Sequence, residues 1–456
     1  MRTYDLKPTY ENLIATFREN TIDRNEDVFR FVDILNAVEG SCAIAVDGNW
    51  GSGKTFFVKQ VKMVMDAHNS FIQSDSCMDR DEIISIRKSF YKEADSSLDA
   101  QVCVYYDAWE NDNDEDPIMS LVYTILQSVH SDYSFKERNW LMLAASIIDA
   151  FSGGQWTQIT QNLRSTSPLK ALEEHQSLKA QVKNFLDEVL VEKGNRLVVF
   201  VDELDRCKPS YAVRLLERVK HYFDQDFITF VFSVNSSELQ HTIKKHYGDG
   251  FDGSRYLDRF FDLRITLSPP NFEKYYKSIN FGMDHTMLSL VCSTIIKAYH
   301  FELREIAKFA RSVKVALPNA ILDGKDHHFP DDRAATFSLI YVAPIILALK
   351  IHNIQRYNDF VNGKDYSPLL EIIKTIPYFN TRSFLSAHET FEKAESKEKL
   401  VTLDEKIRDV YNALFVTVYD PHHYRVNIGE YSFCEQTKAK LLQVTGLLSK
   451  YTTPNA

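Results

Sequence analysis

The sequence lacks the cysteine patterns and the leader that would place it in an oxidising compartment. Six cysteines are scattered over 456 residues at irregular spacings, and none belongs to a C-x-x-C pair. This usage predicts neither a disulfide framework nor a zinc site, and isolated cysteines of this kind are typically small buried apolar residues. The first residues carry no apolar core of a secretory signal, so we expect a cytoplasmic protein.

Long apolar runs are missing as well. The two best candidates are residues 334–349, which contain Pro344, and residues 141–151, which contain Asp149. A helix needs about 20 apolar residues to cross a bilayer, and both segments are shorter. They predict buried or partner-facing helices, and we expect no stable membrane insertion.

The sequence has fewer basic than acidic residues. The chain has 53 Lys and Arg residues against 63 Asp and Glu residues, which gives a formal net charge of -10. Because a broad nucleic-acid surface usually needs a basic face, nucleic acid is a possible partner but not a favoured one. The composition, 44% hydrophobic and 25% charged, is that of an ordinary globular protein, and the length predicts two or three domains.

A glycine-rich loop follows the first strongly apolar run, residues 43–46. Its sequence, GNWGSGKT, has the form G-x-x-x-x-G-K-[ST]. Glycines let successive backbone N–H groups point at a phosphate, Lys54 can reach the β- and γ-phosphates, and Thr55 can bind magnesium. A helix that follows at once adds a dipole that favours an anion. The predicted nucleotide-binding residues of this segment are Gly48, Asn49, Trp50, Gly51, Ser52, Gly53, Lys54, Thr55 and Phe56.

A second motif, RLVVFVDELDRCKP at residues 196–209, supplies acidic side chains. The apolar run at residues 197–201 leads to Asp202, so its carboxylate is expected at the end of a strand, where it can hold magnesium through water. Glu203 is placed to orient the attacking water or to accept its proton, and it joins Lys54 as a predicted catalytic residue. For Asp205 and Arg206 the sequence favours a structural and a catalytic role equally.

Further candidates lie beyond the two motifs. Asn235 follows an apolar strand and can either sense the γ-phosphate or cap the next helix, and the sequence does not choose between these roles. The negative charge of a phosphoryl-transfer transition state is often stabilised by an arginine. Arg255, Arg259, Arg264 and Arg304 are candidates, and the sequence does not choose among them. Arg255 and Arg259 follow a glycine-containing turn beside an expected strand, so we predict a homo-oligomer in which one of these two acts on the nucleotide of a neighbouring subunit.

Apolar periodicity predicts an α/β fold with a mostly parallel sheet, because strands alternate with helices. Strands are expected at residues 42–47, 101–106, 197–201, 227–234 and 262–267. Residues 70–100 are expected to be irregular, and the acidic run 107–117 is expected to be a solvated loop. The predicted domains are residues 1–270, with insertions at about 66–100 and 130–190, and a helical C-terminal region, residues 271–456.

Together these motifs resemble the KAP P-loop NTPases, a branch of the STAND and AAA-like ATPases. The resemblance is carried by the phosphate loop in its G-x-W-G-S-G-K-T form and by three further segments. These are the aromatic-acidic segment at residues 108–117, DELDRC-x-P at residues 202–209 and FDG-x-x-YL-x-[RK]-F-[FI]-D at residues 251–262. The resemblance spans roughly residues 20–315.

The resemblance implies a P-loop ATPase with a three-layer α/β sandwich, a helical extension, and ATP and Mg²⁺ as ligands. It implies that Lys54 binds phosphate, that Thr55 and the acidic residue Asp202 bind magnesium, and that Glu203 activates water. Many members carry transmembrane helices between these motifs, which this sequence lacks, so it resembles the soluble branch. Soluble bacterial members are often linked to anti-phage defence, which implies a regulatory or assembly ATPase with a separate effector protein. An ATP-gated scaffold and a nucleic-acid-stimulated ATPase are the alternatives.

Overall fold

The chain divides at residue 271 in its structure, which is a computed structural model. The structure describes residues 7–72, 79–90, 98–114, 116–132, 182–187, 193–279, 286–317, 332–377, 402–420 and 424–446, and the single residues 180, 190, 281, 379 and 422. Residues 7–271 form one unit, and the described residues from Phe272 onward form the other. The expected helix at 141–151 and most of the proposed insertion at 130–190 lie outside the described residues.

The first unit alternates strands and helices along the chain. Its strands are β1 (Cys42–Asp47), β2 (Gln101–Asp107), β3 (Arg196–Asp202), β4 (Ile228–Val234) and β5 (Leu263–Thr266). Its helices are α1 (Tyr10–Glu19), α2 (Asn25–Ala37), α3 (Lys54–His68), α4 (Arg80–Phe90), α5 (Pro117–Asp132), α6 (Pro209–Tyr222), α7 (Ser236–Tyr247) and α8 (Gly253–Leu257). The strands expected from the sequence agree with these bounds to within one or two residues.

One five-stranded sheet organises this unit, with the strand order β2-β3-β4-β1-β5 and every pair parallel. Every residue of β4 is buried, and β3 is buried from Leu197 onward, as expected for strands covered on both faces. The predicted α/β fold with a parallel sheet is confirmed. Because all strands point the same way, their C-terminal ends and the loops that follow them meet at one edge of the sheet.

The prediction of an irregular segment at residues 70–100 is wrong for α4. Ile83 and Arg87 lie one turn apart on this helix and are both buried, and Arg87 donates a 2.6 Å hydrogen bond to Asp33. Acidic side chains in its first turn and basic ones in its last turn also favour a helix. The flanking Asp and Ser residues hid this short apolar pattern.

The acidic run is not simply a solvated loop. Asp112 accepts a 3.2 Å hydrogen bond from the backbone N–H of Lys208, and Asp116 forms a 2.7 Å ion pair with Arg218. These cations lie at the start of α6 and further along it, and their positions could not be inferred from the acidic run alone. The segment after β2 is therefore held against the segment after β3.

The second unit is mainly helical. Its helices are α9 (Phe272–Ser278), α10 (Met287–Ala298), α11 (Leu303–Ala316), α12 (Asp332–Phe337), α13 (Ala343–His352), α14 (Ile354–Val361), α15 (Ser367–Thr375), α16 (Leu403–Phe415) and α17 (Glu435–Gly446), with a π-helical turn at Ser338–Val342. The sequence missed an antiparallel hairpin, β6 (Val426–Ile428) and β7 (Tyr431–Phe433), because three-residue strands are too short to show alternation. Residues 334–349 are helical and most of their described side chains are buried, and no helix within the described ranges has the length and hydrophobicity of a membrane span.

Candidate nucleotide-binding site

The two sequence motifs follow β1 and β3, with β4 lying between these strands. Neighbouring strands are about 4.8 Å apart, so the two strand ends are separated by about 10 Å. Two hydrogen bonds join this intervening segment to the end of β1 and the start of the loop. Gly48 N–H donates to the Val234 carbonyl at 3.2 Å, and Ser236 N–H donates to the side-chain Oδ1 of Asp47 at 2.8 Å. The end of β4 and the start of α7 therefore lie between the two motifs.

Glycines determine the shape of the phosphate loop at three positions. Gly51 and Gly53 have φ angles of 87° and 92°, in the left-handed region that favours glycine. A Cβ atom on Gly48 would lie 2.9 Å from Ser52 Oγ. The chain then enters α3 at Lys54, and the first N–H groups of a helix have no partner within it. The loop and the helix start together present donors to an anion.

Lys54 lies inside the curve of this loop. Its side chain is buried, and its Nζ donates to the carbonyls of Gly48 at 2.7 Å and Asn49 at 3.0 Å. Burial lowers the pKa of Lys54, while the nearby carboxylates oppose that change, Asp205 and Asp202 most strongly. A buried cation in this loop, beside a Ser52 hydroxyl that has no hydrogen-bond partner among the described residues, fits a phosphate group.

Asp202 is almost completely buried at the end of β3. The Tyr105 hydroxyl donates to its Oδ2 at 2.9 Å, and the Glu203 backbone N–H donates to its Oδ1 at 3.0 Å. Thr55 is half-buried in the first turn of α3. A carboxylate and a hydroxyl are hard oxygen donors of the kind that magnesium takes beside phosphate, so these two residues fit the expected ion.

Glu203 has an unusual backbone and a cationic partner. Its φ angle is 62°, in the left-handed region, and its carboxylate forms an ion pair with Arg206. Burial, followed by the charge of Asp202, raises the pKa of Glu203 to about 7, and Arg206 opposes that rise. The Arg206 guanidinium also lies 5.7 Å from the centre of the Trp109 ring. The predicted water activator is therefore at the site with its carboxylate held by an arginine.

Asp205, for which the sequence left two roles open, contacts the phosphate loop directly. Only 5% of the residue is exposed, and it accepts a hydrogen bond from the indole N–H of Trp50. Burial raises the pKa of Asp205, and the Trp50 hydrogen bond and the charge of Lys54 oppose that rise. No local pattern indicates this contact, because only the sheet order brings residues 50 and 205 together.

Asn235 caps the helix that follows it. Its side-chain oxygen accepts from the backbone N–H groups of Ser237 at 3.1 Å and Glu238 at 3.3 Å. Of the two roles that the sequence left open, capping is the one that its geometry displays. Its place after β4 still puts it between the two motifs.

The arginines chosen from the sequence are exposed. Arg255 lies on α8 and Arg259 in the following turn, and neither side chain forms a hydrogen bond or an ion pair with a described residue of the phosphate loop or with Asp202. Two other arginines do contact residues of the site. Arg206 pairs with Glu203, and the buried Arg24 donates to the carbonyl of Ser52 at 2.7 Å and to that of Ser268.

Arg206, for which the sequence left a structural and a catalytic role open, belongs to the acidic motif itself, and its side chain is 23% exposed. The sequence showed its position but not its direction, since the turn that begins at Glu203 decides where it points. Arg24, in contrast, precedes α2 and gave no sequence signal at all.

A family comparison identifies a P-loop domain in this chain. The model of the KAP family P-loop domain matches residues 28–321, which extends past residue 271 into the helical unit. Among solved structures, the Aeropyrum pernix ORC2 protein in ADPNP–ADP complexes is 14% identical, covering 90% of this chain and 97% of that one, with a TM-score of 0.29. The Aeropyrum pernix ORC1 protein in complex with DNA is 12% identical, covering 92% of each chain, with a TM-score of 0.31. Likeness at this level does not extend to ligands, and no curated protein sequence matches the chain.

Proposed function

This chain belongs to the KAP family of P-loop domains, and we propose that it hydrolyses ATP in a reaction that depends on Mg²⁺. One observation carries the proposal. The fold joins the phosphate loop to the acidic motif, because the indole N–H of Trp50 donates to Asp205, and the charges of Asp205, Asp202 and Glu203 raise the pKa of the buried Lys54 against the effect of its burial. A phosphate-binding cation beside buried acids is the combination that phosphoryl transfer to water requires.

Each residue has a task in this proposal. The backbone N–H groups of the loop and the Lys54 ammonium bind the phosphates, while Thr55 and Asp202 would hold magnesium. A bound magnesium ion would neutralise charge that develops on the phosphate oxygens. Glu203 orients the attacking water and accepts its proton. Tyr105 fixes the direction of the Asp202 carboxylate through its 2.9 Å hydrogen bond.

The ion pair between Glu203 and Arg206 favours a second candidate function, an ATP-gated scaffold with little turnover. A carboxylate that is held by a guanidinium is a weaker base toward water than a free one. In the first function Arg206 would have to leave Glu203 when the nucleotide binds. In the second the pair would persist, and nucleotide binding alone would change the protein's interactions.

Multiple-turnover phosphate release from ATP separates the two functions. We expect Glu203→Gln to bind nucleotide normally and to lose turnover by on the order of a hundredfold or more, because it keeps the shape of the side chain but not its basicity. Lys54→Ala should lose nucleotide binding while remaining folded. Wild-type protein that binds ATP without releasing phosphate would support the scaffold. A Glu203→Gln variant as fast as the wild type would remove Glu203 from the mechanism.

The wider setting is proposed from the resemblance to soluble bacterial KAP proteins. There the ATPase would be a regulatory or assembly subunit of an anti-phage defence system, and it would act with a separate effector protein. The genes beside the coding sequence test this directly. A nuclease, deaminase or toxin encoded there would identify the effector class, and a neighbourhood without any effector would count against the defence setting.

A further inference from the structure

Asp205 reaches the phosphate loop because the chain reverses direction after Asp202. Glu203 adopts the left-handed conformation, and residues Leu204–Arg206 form one turn of 3₁₀ helix. This turn buries Leu204 and Asp205, whereas Arg206 remains partly exposed. The three acids of the motif therefore face different partners, since Asp202 is bound by Tyr105, Glu203 by Arg206 and Asp205 by the phosphate loop.

Trp50 is the loop residue that Asp205 binds. The side chain is exposed over 45% of its surface, yet its indole N–H donates to the buried carboxylate. Trp50 lies directly before Gly51, one of the two loop glycines with positive φ. Glycines give a loop many accessible conformations, so a loop of this composition needs tertiary contacts to keep one shape.

The turn that carries Asp205 also lies against the other side of the site, since Leu204–Arg206 is close to β4 and to α7. Asp205 therefore joins the phosphate loop after β1 to a turn that belongs to the segment after β3 and lies against β4. The charge of Lys54 favours the ionised form of the buried Asp205 carboxylate, and hydrogen bonds to an ionised acceptor are stronger than those to a neutral one.

From these contacts we propose that Asp205 is a positioning residue, which holds the phosphate loop in its nucleotide-binding shape through the indole N–H of Trp50. The inference rests on the proposed function, in which the ligand is a nucleoside triphosphate. When the loop is already ordered, nucleotide binding does not lose the conformational entropy of ordering it, and the affinity for nucleotide is therefore higher. This assigns Asp205 a task separate from those of the neighbouring Asp202 and Glu203.

Nucleotide affinity tests the assignment through a double-mutant cycle. The probe is the non-hydrolysable analogue adenylyl-imidodiphosphate with Mg²⁺, titrated calorimetrically into the full chain. Trp50→Phe keeps an aromatic ring and removes the N–H, and Asp205→Ala removes the acceptor. We expect each substitution to weaken binding about tenfold. The double variant should bind with the affinity of the single variant that binds less tightly, because the two substitutions remove the same interaction.

Two further variants serve as controls. Asp205→Asn retains a side-chain oxygen that can accept from Trp50, so it should keep most of the affinity that Asp205→Ala loses. Trp109→Phe makes the same ring substitution beside the acidic motif but outside the phosphate loop, and it should bind the analogue as the wild type does. Affinity that falls equally in Trp50→Phe and Trp109→Phe would contradict a specific role for the loop indole.

Hydrogen–deuterium exchange without nucleotide gives a second, independent readout. We expect the amides of residues 48–55 to exchange faster in Trp50→Phe and in Asp205→Ala than in the wild type. Unchanged exchange together with unchanged affinity in Trp50→Phe would overturn the inference. Lost turnover with normal affinity in Asp205→Ala would also overturn it, since Asp205 would then act in the chemistry.

If Lys54→Ala bound the analogue normally, the assignment of the nucleotide site itself would be wrong. The exchange data would still decide whether the hydrogen bond between Trp50 and Asp205 orders the loop.

Discussion

At the scale of single residues, the acidic motif shows how neighbouring carboxylates acquire different tasks from their contacts. Asp202 is buried and bound by a tyrosine hydroxyl, and Glu203 is paired with an arginine. Their identities could be read from the sequence, but their hydrogen-bond partners could not. The partner of Asp202 is Tyr105, on the neighbouring strand β2, and its contribution can be measured.

We predict that Tyr105→Phe weakens the dependence of nucleotide binding on Mg²⁺. The substitution removes the hydroxyl that donates to Asp202 at 2.9 Å and retains the ring, which lies 4.1 Å from Lys59 Nζ. Loss of a group that orients a metal ligand typically lowers metal affinity about 10- to 100-fold. The measurement is the Mg²⁺ concentration at half-maximal enhancement of nucleotide affinity, which should rise.

Tyr123→Phe is the matched control for this experiment. Its side chain lies on α5 and is 56% exposed, so removing its hydroxyl should leave the Mg²⁺ dependence unchanged. An equal Mg²⁺ requirement in wild type and Tyr105→Phe would show that Asp202 is oriented without its tyrosine partner.

At the scale of elements, the short helix α8 is placed by close contact with α7. A Cβ atom on Gly253, the first residue of α8, would lie 2.8 Å from the backbone oxygen of Gln240. Real Cβ atoms do not approach a backbone oxygen so closely, so a side chain here must displace one helix from the other. The position of α8 matters because this helix carries Arg255.

We predict that Gly253→Ala lowers the free energy of unfolding of the first unit by about 1–3 kcal/mol, the usual cost of overpacking. Chemical denaturation measures this change. Gly250→Ala is the control, because a Cβ atom on Gly250, in the preceding loop, would meet nothing within 4 Å and should be tolerated. If the two variants were equally stable, the α7–α8 contact would be able to relax at no cost.

At the scale of the whole molecule, the open question is which arginine completes the site. We predict a homo-oligomer in which Arg255 or Arg259 acts on the nucleotide of a neighbouring subunit, consistent with the exposure of both side chains. The ATPase rate per subunit should then rise with protein concentration. Arg255→Ala or Arg259→Ala should lower turnover strongly and affinity less, because such a cation acts mainly on the transition state.

Mixing experiments test the shared site. Protein carrying Arg255→Ala should regain part of its activity when mixed with Lys54→Ala protein, because one interface would then contain both an intact loop and an intact arginine. A wild-type protein that stays monomeric with ATP and keeps its full rate on dilution would contradict the prediction. Arg206, which already contacts Glu203 within the same chain, would then be the arginine to substitute.

The sequence by itself determined the features that depend on neighbours along the chain. The phosphate loop could be recognised because its glycines, lysine and threonine act together within eight residues. Asp202 could be placed at a strand end because the apolar run that precedes it is continuous. The parallel α/β fold followed from the alternation of such runs with helical periodicity. Short elements were missed, such as α4 and the β6–β7 hairpin, because few residues carry their pattern.

Only the tertiary structure decided which of these pieces meet. The order of strands in a sheet depends on the packing of the whole unit, so no local pattern shows that β4 separates β1 from β3. That order brings Trp50 to Asp205, and packing of the N-terminal helices brings Arg24 to the carbonyl of Ser52. The direction of a side chain after a reversed turn, as in Glu203 and Arg206, likewise depends on backbone angles that the sequence does not display.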